Sequence, residues 1–433
     1  MKEFWSEKFE TMSPEEMRRF QLEKLQETVR WVYERIPFYK RKLDEAGVAP
    51  ADIRALEDIR HLPFTVKTDL RDNYPFGLCA VPMSELVRVH ASSGTTGKPI
   101  TGPYTADDLE QWSECMARTL WAQGVRSSDI VQNAYGMGLF TGGMGFLHGA
   151  LKIGCCLVPT GSGMTERQIM LMQDFGTTVL FCTPTYALTI VEKAEQMGID
   201  MRKFPLRVGS FGAEPWTVKM REEIEARMGI AAHEAYGLTE MMGPGVGFSC
   251  EAYRLHLNED HCYPEIVDPS TLEPLAEGEK GELIFTALQR RAMPLLRYRT
   301  RDITSIKRLR CECGRTLVVM DKILGRSDDM LIIGGVNVFP SQVESVIMEF
   351  AEMEPIYQIR VFKKGHLDAM KIEAEAKAEL YGRGQAAVEE LGKKLAARLH
   401  AVIGITSPVE ILPAGTIARS EGKAKRVIDE RPK

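Results

Sequence analysis

Between about residues 80 and 240, short β-rich runs alternate with helical stretches, and this alternation constrains the fold more than any other feature of the chain. The runs are Ile130-Val131-Gln132, Cys156-Leu157-Val158, Thr178-Val179-Leu180-Phe181 and Leu206-Arg207-Val208, with polar segments at 162–175 and 217–228 set among them. Such alternation builds βαβ units and a mainly parallel sheet. Ligands in these sheets sit beyond the carboxyl ends of the strands.

A second feature says what that ligand is. Ser92-Ser93-Gly94-Thr95-Thr96-Gly97-Lys98-Pro99 follows the apolar run Leu86-Val87-Arg88-Val89. Glycines let a backbone curl so that successive N–H groups point at one anion. Hydroxyls add donors and Lys98 adds charge, so the loop suits a polyphosphate. It is not a Walker A loop: Pro99 follows the lysine where Ser or Thr would meet Mg²⁺, and the residue before a proline disfavours helix.

At 433 residues the chain exceeds one ordinary core, so two or more domains are expected. A 44% hydrophobic and 27% charged composition is that of a soluble globular protein, and a net charge of −5 leaves no basic footprint for nucleic acid. The nine cysteines form no disulfide-like framework. With no signal-like apolar stretch in MKEFWSEKFE, a cytoplasmic protein is expected. Residues 138–158 are weakly charged but glycine-rich and interrupted by His148 and Lys152, which favours a buried α/β segment over a membrane span.

Ser13-Pro14-Glu15-Glu16 opens a helix, with Ser as cap and Pro at the first helical position. Leu22, Leu25, Val29, Val32 and Ile36 continue at helical spacing up to Pro37. Residues 250–325 switch to short strands with turn signals such as Glu277-Gly278 and Lys280-Gly281, a β-rich subdomain. A mixed α/β tail follows, with a helix at roughly 384–400 showing Val388, Leu391, Leu395 and Leu399 on one face.

Three more segments recur in a fixed order: Ala235-Tyr236-Gly237-Leu238-Thr239-Glu240, Tyr298-Arg299-Thr300-Arg301-Asp302 and Gly325-Arg326-Ser327-Asp328-Asp329. A terminal Gly422-Lys423 follows them. Together with the Ser92–Lys98 loop they resemble the core motifs of the adenylate-forming superfamily. The runs GRSDDMLIIGGVNVFPSQVE, RYRTRD and FTVKTDLRDNYPFGL resemble its phenylacetate–CoA ligase branch, over nearly the whole chain.

The resemblance implies an adenylate-forming α/β fold. A large N-terminal domain, 1–327, would bind ATP and acid on mainly parallel sheets with a β-rich subdomain. A small mobile α+β domain, 328–433, would swing about a hinge at Asp328. The implied reaction is ATP-dependent ligation of an aryl acid, phenylacetate foremost, to coenzyme A through an acyl-adenylate, with ATP, Mg²⁺ and CoA as cofactors. Ser92, Ser93, Gly94, Thr95, Thr96, Gly97 and Lys98 would cradle the β- and γ-phosphates. Gly212-Ala213-Glu214-Pro215 would line the adenine and acyl sites. Tyr236 would stack on adenine beside Gly237, Thr239 would touch the α-phosphate and Glu240 would hold Mg²⁺. Asp302 would accept from the ribose hydroxyls, and Arg326 would reach the ribose or a phosphate. Lys423 is the implied adenylation lysine, with Lys425 its rival. Arg299 and Arg301 either add phosphate contacts or pair with surface acids. Lys67 is either a phosphate contact or a surface lysine, and His233 either orients substrate or is structural.

Resemblance also places the acid between Ala134–Phe140 and Gly212-Ala213. There Tyr135 and Phe140 offer aromatic faces, and Gly136 and Ala213 leave room. Cys250 and His256, with Cys311 and Cys313 at the far end of the β-rich region, offer the four N/S ligands of a structural Zn²⁺ site. His261 and Cys262 are alternative ligands, and unrelated buried thiols are the competing reading. Expected partners are the small molecules alone, with no nucleic acid and no membrane; a homodimer is expected without any residue that fixes it. The alternatives are a relative that adenylylates another acceptor without CoA, like coenzyme F390 synthetase, and a catalytically silent nucleotide-binding protein.

Overall fold

The computed structural model describes residues 3–92, 99–327, 331–333, 336–364, 367–419 and 426–431. The helix Pro14–Arg35 starts as its sequence demands. Ser13 Oγ accepts from Glu16 N–H at 3.3 Å, and Glu16 returns a carboxylate oxygen to Ser13 N–H at 3.1 Å. Leu25, Val29 and Val32 are wholly buried along one face. Pro37 ends this helix and begins the next, Pro37–Ala46, because its fixed φ suits a first helical position.

An antiparallel hairpin, β1 (Arg88–Ala91) and β2 (Thr101–Tyr104), brackets the glycine-rich loop. Leu86 and Val87 precede β1. The main sheet begins with β3 (Ile130–Asn133), β4 (Cys156–Val158), β5 (Val179–Cys182), β6 (Val208–Gly212) and β7 (Ala231–Leu238), all parallel in the order β4-β3-β5-β6-β7. Helices Thr165–Phe175 and Val218–Met228 occupy the two polar segments. Every residue of β5 and β6 is buried, as befits parallel strands covered on both faces. Leu206 and Arg207 stop short of β6; Arg207 turns outward to pair with Asp129.

Past β7 the sheet becomes antiparallel. β8 (Gly243–Ser249) and β9 (Leu255–Leu257) extend it, and β13 (Ile306–Lys307) and β14 (Val319–Met320) complete its nine strands. A second, four-stranded antiparallel sheet runs β10 (Cys262–Val267), β11 (Gly281–Ala287), β12 (Tyr298–Thr304) and β15 (Gly325–Arg326). This is the β-rich subdomain. A buried ion pair fastens the helix Ala106–Ala122 to it: Arg118 donates to both oxygens of Asp260 at 2.8 and 3.0 Å.

The C-terminal residues build their own apolar cluster. A small hairpin, β16 (Leu331–Ile333) and β17 (Val336–Val338), precedes a sheet of β18 (Met353–Lys364), β19 (Leu367–Ala376), β20 (Val409–Pro413) and β21 (Val427–Asp429). The order is β20-β19-β18-β21, with the central pair antiparallel and both outer strands parallel to their neighbours. Helix Gln385–Ile403 lays Val388, Leu391, Leu395 and Leu399 on it. Among the described residues no helix is long and apolar enough to cross a membrane.

Candidate active site

The parallel strands deliver the candidate residues to one edge of the main sheet. β3 leads into Tyr135, β5 into Thr183, β6 into Gly212 to Glu214, and β7 ends at Tyr236 to Leu238. A side chain on Gly212 would strike the Ala235 carbonyl oxygen at 2.2 Å, so only glycine allows this approach of β6 to β7. Ala213 follows with φ 72°, and Glu214 caps the helix Pro184–Gln196 by accepting from Thr185 N–H at 2.8 Å.

Two phenol–carboxylate pairs link this edge to the second sheet. The Tyr236 hydroxyl donates to Asp302 Oδ2 at 2.6 Å, and Arg326 Nη1 donates to Asp302 Oδ1 at 3.1 Å. Asp302 and Arg326 face each other in register across β12 and β15. The Tyr298 hydroxyl donates to Glu240 Oε1 at 3.1 Å. Burial, and then the adjacent carboxylates, push both phenols well above their ordinary range, so both remain donors. Thr239 Oγ1 lies 3.3 Å from Thr141 Oγ1 at the start of the helix Thr141–Ile153. Tyr236, Glu240, Asp302 and Arg326, distant in sequence, thus form one neighbourhood.

Other candidates fall elsewhere. Ser92 closes the hairpin, its hydroxyl accepting from Ile100 N–H at 2.9 Å. Ser93, Gly94, Thr95, Thr96, Gly97, Lys98, Asp328, Lys423 and Lys425 lie outside the described residues. Tyr135 is buried and stacks on Phe146 at 4.8 Å, whereas Phe140 is 51% exposed. The aromatic pair is therefore Tyr135 with Phe146, not with Phe140. Arg299 and Arg301 both turn to Glu282, at 2.6 and 3.7 Å, and that acid is wholly buried rather than superficial. His233 is enclosed between Tyr253 and Ser249; burial, then the Arg221 charge, hold it down at about 4. It is a neutral structural ring. Lys67 begins the short helix Lys67–Asp72.

Tyr298 joins the site although its motif implied no role for it. The strand period supplied the signal: on β12, Tyr298, Thr300 and Asp302 are buried while Arg299 and Arg301 are less so.

A second cluster lies at the far end of the β-rich region. Cys250, His256, Cys311 and Cys313 converge so that one ligand atom from each lies within 4.8 Å of all the others. Cys250 Sγ is 3.7 Å from Cys311 Sγ, and His256 Nε2 is 3.4 Å from Cys313 Sγ. Tetrahedral bonds of about 2.3 Å to sulfur and about 2.0 Å to nitrogen put ligand atoms roughly 3.5–3.8 Å apart. His256 Nδ1 lies 3.1 Å from the Leu317 carbonyl, which leaves Nε2 turned inward as the donor. His261 and Cys262 stand outside this group; His261 lies beside Asp260.

Comparisons with known proteins show the family. The family model described as AMP-binding enzyme matches residues 27–288, and the AMP-binding enzyme C-terminal domain matches 335–431. The phenylacetate-coenzyme A ligase of Thermus thermophilus is 48% identical, over 98% of each chain. That of Escherichia coli is 48% identical over 98% of this chain and 97% of its own. The chain belongs to the phenylacetate–coenzyme A ligase family of AMP-binding enzymes. It has the adenylate-forming fold and is an acid–thiol ligase.

Within that family fold, one solved relative bears on the C-terminal placement. A 2-hydroxyisobutyryl-CoA ligase in its postadenylation state superposes with a TM-score of 0.92 at 28% identity, covering 98% of this chain and 91% of its own. The same ligase in its thioesterification state gives 0.73 at 29% identity, over 98% and 92%. This chain superposes better on the first of these two states than on the second.

Proposed function

We propose that this ligase joins an aryl acid, phenylacetate, to coenzyme A at the expense of ATP. The observation that carries the reading is the joining of Tyr236, Asp302 and Arg326, with Glu240 and Tyr298 beside them, at the carboxyl ends of the parallel strands. Tyr236 offers a ring for adenine, and Asp302 is an acceptor suited to paired ribose hydroxyls. Glu240, accepting from the Tyr298 hydroxyl, is a carboxylate of the kind by which Mg²⁺ joins a nucleotide. A carboxylate oxygen attacks the α-phosphorus and pyrophosphate leaves; the CoA thiol then attacks the acyl carbon and AMP leaves. Charge builds on phosphate and carbonyl oxygens in both steps, so cations and N–H groups carry the stabilisation. Ser93 to Lys98 would bind the departing phosphates and Lys423 the α-phosphate, with the smaller domain, 328–433, turning at Asp328. The buried Tyr135–Phe146 stack supports a flat aryl acid. Nine thiols without a disulfide accord with a cytoplasmic setting.

The test is pyrophosphate release with Mg²⁺-ATP across aryl and aliphatic acids, with and without CoA. Release with phenylacetate, and phenylacetyl-CoA formed only when CoA is present, is the expected result. Release that ignores every acid, or a full turnover without CoA, overturns the assignment.

We further read the Cys250–His256–Cys311–Cys313 cluster as a structural Zn²⁺ site. The thiol-rich donor set, the ligand spacing and the His256–Leu317 contact support zinc, and four protein ligands leave no open position for chemistry. Elemental analysis of the purified protein should return about one zinc per chain, and Cys313→Ser should lose it and lower Tm by several degrees. Metal-free protein as stable as the zinc-loaded form would refute the site.

A further inference from the structure

The chain enters segment 420–425, which carries Lys423, directly from Arg419. Arg419 is held on two sides. Its Nη1 donates to Glu375 Oε2 at 2.8 Å. Glu375 is wholly buried on β19 and also accepts from Gly415 N–H at 2.9 Å and Ile417 N–H at 2.6 Å. Both Glu375 oxygens are therefore committed to the stretch that ends at Arg419. On its other side, Arg419 Nε and Nη2 lie 3.4 and 3.5 Å from Glu192 Oε2. Glu192 belongs to the helix Pro184–Gln196, which packs in the apolar cluster of the main sheet. One guanidinium thus spans the two bodies of the molecule, and its side chain is only 22% exposed.

The pairing joins residues of two different bodies. Glu375 and Arg419 travel together, because both belong to the C-terminal body. Glu192 does not. The relative's two states match this chain unequally, with TM-scores of 0.92 and 0.73 over the same 98% of its length. A contact between two bodies survives only while their mutual placement does.

We propose that Arg419 is a positioning residue. The Glu375–Arg419–Glu192 clasp holds the root of the Lys423 segment in the placement that precedes thioester formation, and it opens when the bodies rearrange for CoA. The inference rests on the acid-activating reading above. The planar fork of arginine suits this bridge, since two edges can serve two carboxylates at once; a lysine ammonium would favour one.

Glu192→Gln is the decisive variant, because it removes the charge from one body and leaves the buried Glu375–Arg419 pair intact. Pyrophosphate release on adenylate formation should fall about fivefold, the scale of a partly exposed ion pair, while CoA attack on supplied acyl-adenylate stays within about twofold. Glu192→Asp should recover part of the loss. An equal fall in both half-reactions, or no fall in the first, overturns the clasp. Fluorophores on the helices Pro14–Arg35 and Gln385–Ile403 read the placement without chemistry: Glu192→Gln should broaden their distance distribution. An unchanged distribution also overturns the clasp, whether or not the wild type releases pyrophosphate with any acid. Wild-type silence with a broadened distribution leaves the clasp standing and removes the reading on which its catalytic role rests.

Discussion

Asp302 accepts from Tyr236 at 2.6 Å on one oxygen and from Arg326 at 3.1 Å on the other. A carboxylate so held is fixed in orientation before a nucleotide arrives, which lowers the ordering cost of binding. Tyr236→Phe keeps the ring and deletes only the hydroxyl. A hydrogen bond to an ionised group is worth about 1.5–3 kcal/mol, but Arg326 still holds Asp302, so the lower end applies. The KM for ATP should rise about tenfold with kcat within about twofold. An unchanged KM would detach Tyr236 from nucleotide binding. Arg299 carries the opposite lesson. Its motif position left phosphate and a surface acid both open, and its guanidinium is matched by an acid, the buried Glu282, across β11 and β12. Removing it would strand that acid in the core rather than weaken a ligand contact.

At the scale of elements, what periodicity governs was legible. The Ser13 capping box, the 3.6-residue spacing to Val32 and the stripe Val388–Leu391–Leu395–Leu399 each depend on neighbours within one helix, and each formed as read. The same holds for β3 and β5; the run of β5 is continuous in apolar residues because both faces are covered. Long-range pairing was not legible. Nothing local joins Tyr135 to Phe146 rather than Phe140, because a helix start turns Phe140 outward while Phe146 comes round on the inner face. Nothing local selects His256 over His261 for the thiol cluster either. That choice follows from β9 pairing with β14, which sets Val319 opposite His256 and brings the loop of Cys311 and Cys313 alongside. The same loop also anchors the N-terminal helix Glu7–Glu10: Arg315, two residues beyond Cys313, makes a buried ion pair with Glu10 at 2.6 Å.

Across the whole molecule, acidic side chains of both bodies meet where the C-terminal body adjoins the main one. Glu354, on β18, faces Glu223 and Glu192 from the main body, with Arg227 and Lys377 the nearby cations. Its Oε2 is buried and accepts no hydrogen bond among the described residues. Burial first, and then the two like charges, push its carboxyl up to about 7 from an ordinary 4.5. A carboxyl whose folded value is raised is stabilising in its protonated form. Its contribution is complete below about 4.5 and is lost as pH climbs through about 7. His233 acts in the other direction and in another window: held down at about 4, it contributes fully above its ordinary 6.5 and loses that contribution as pH falls towards 4. The two contributions oppose each other where their windows overlap, and above about pH 6.5 only the loss at Glu354 continues. Glu354→Gln keeps the shape of the protonated acid and cannot ionise. Its Tm should match the wild type at about pH 4, where the His233 term is common to both proteins, and exceed it at pH 8. Calorimetry at the two pH values measures the difference directly. A constant offset would mean that Glu354 does not titrate in this window. A variant less stable at pH 8 would mean that the ionised carboxylate is held by Arg227 and Lys377 and helps to dock the two bodies.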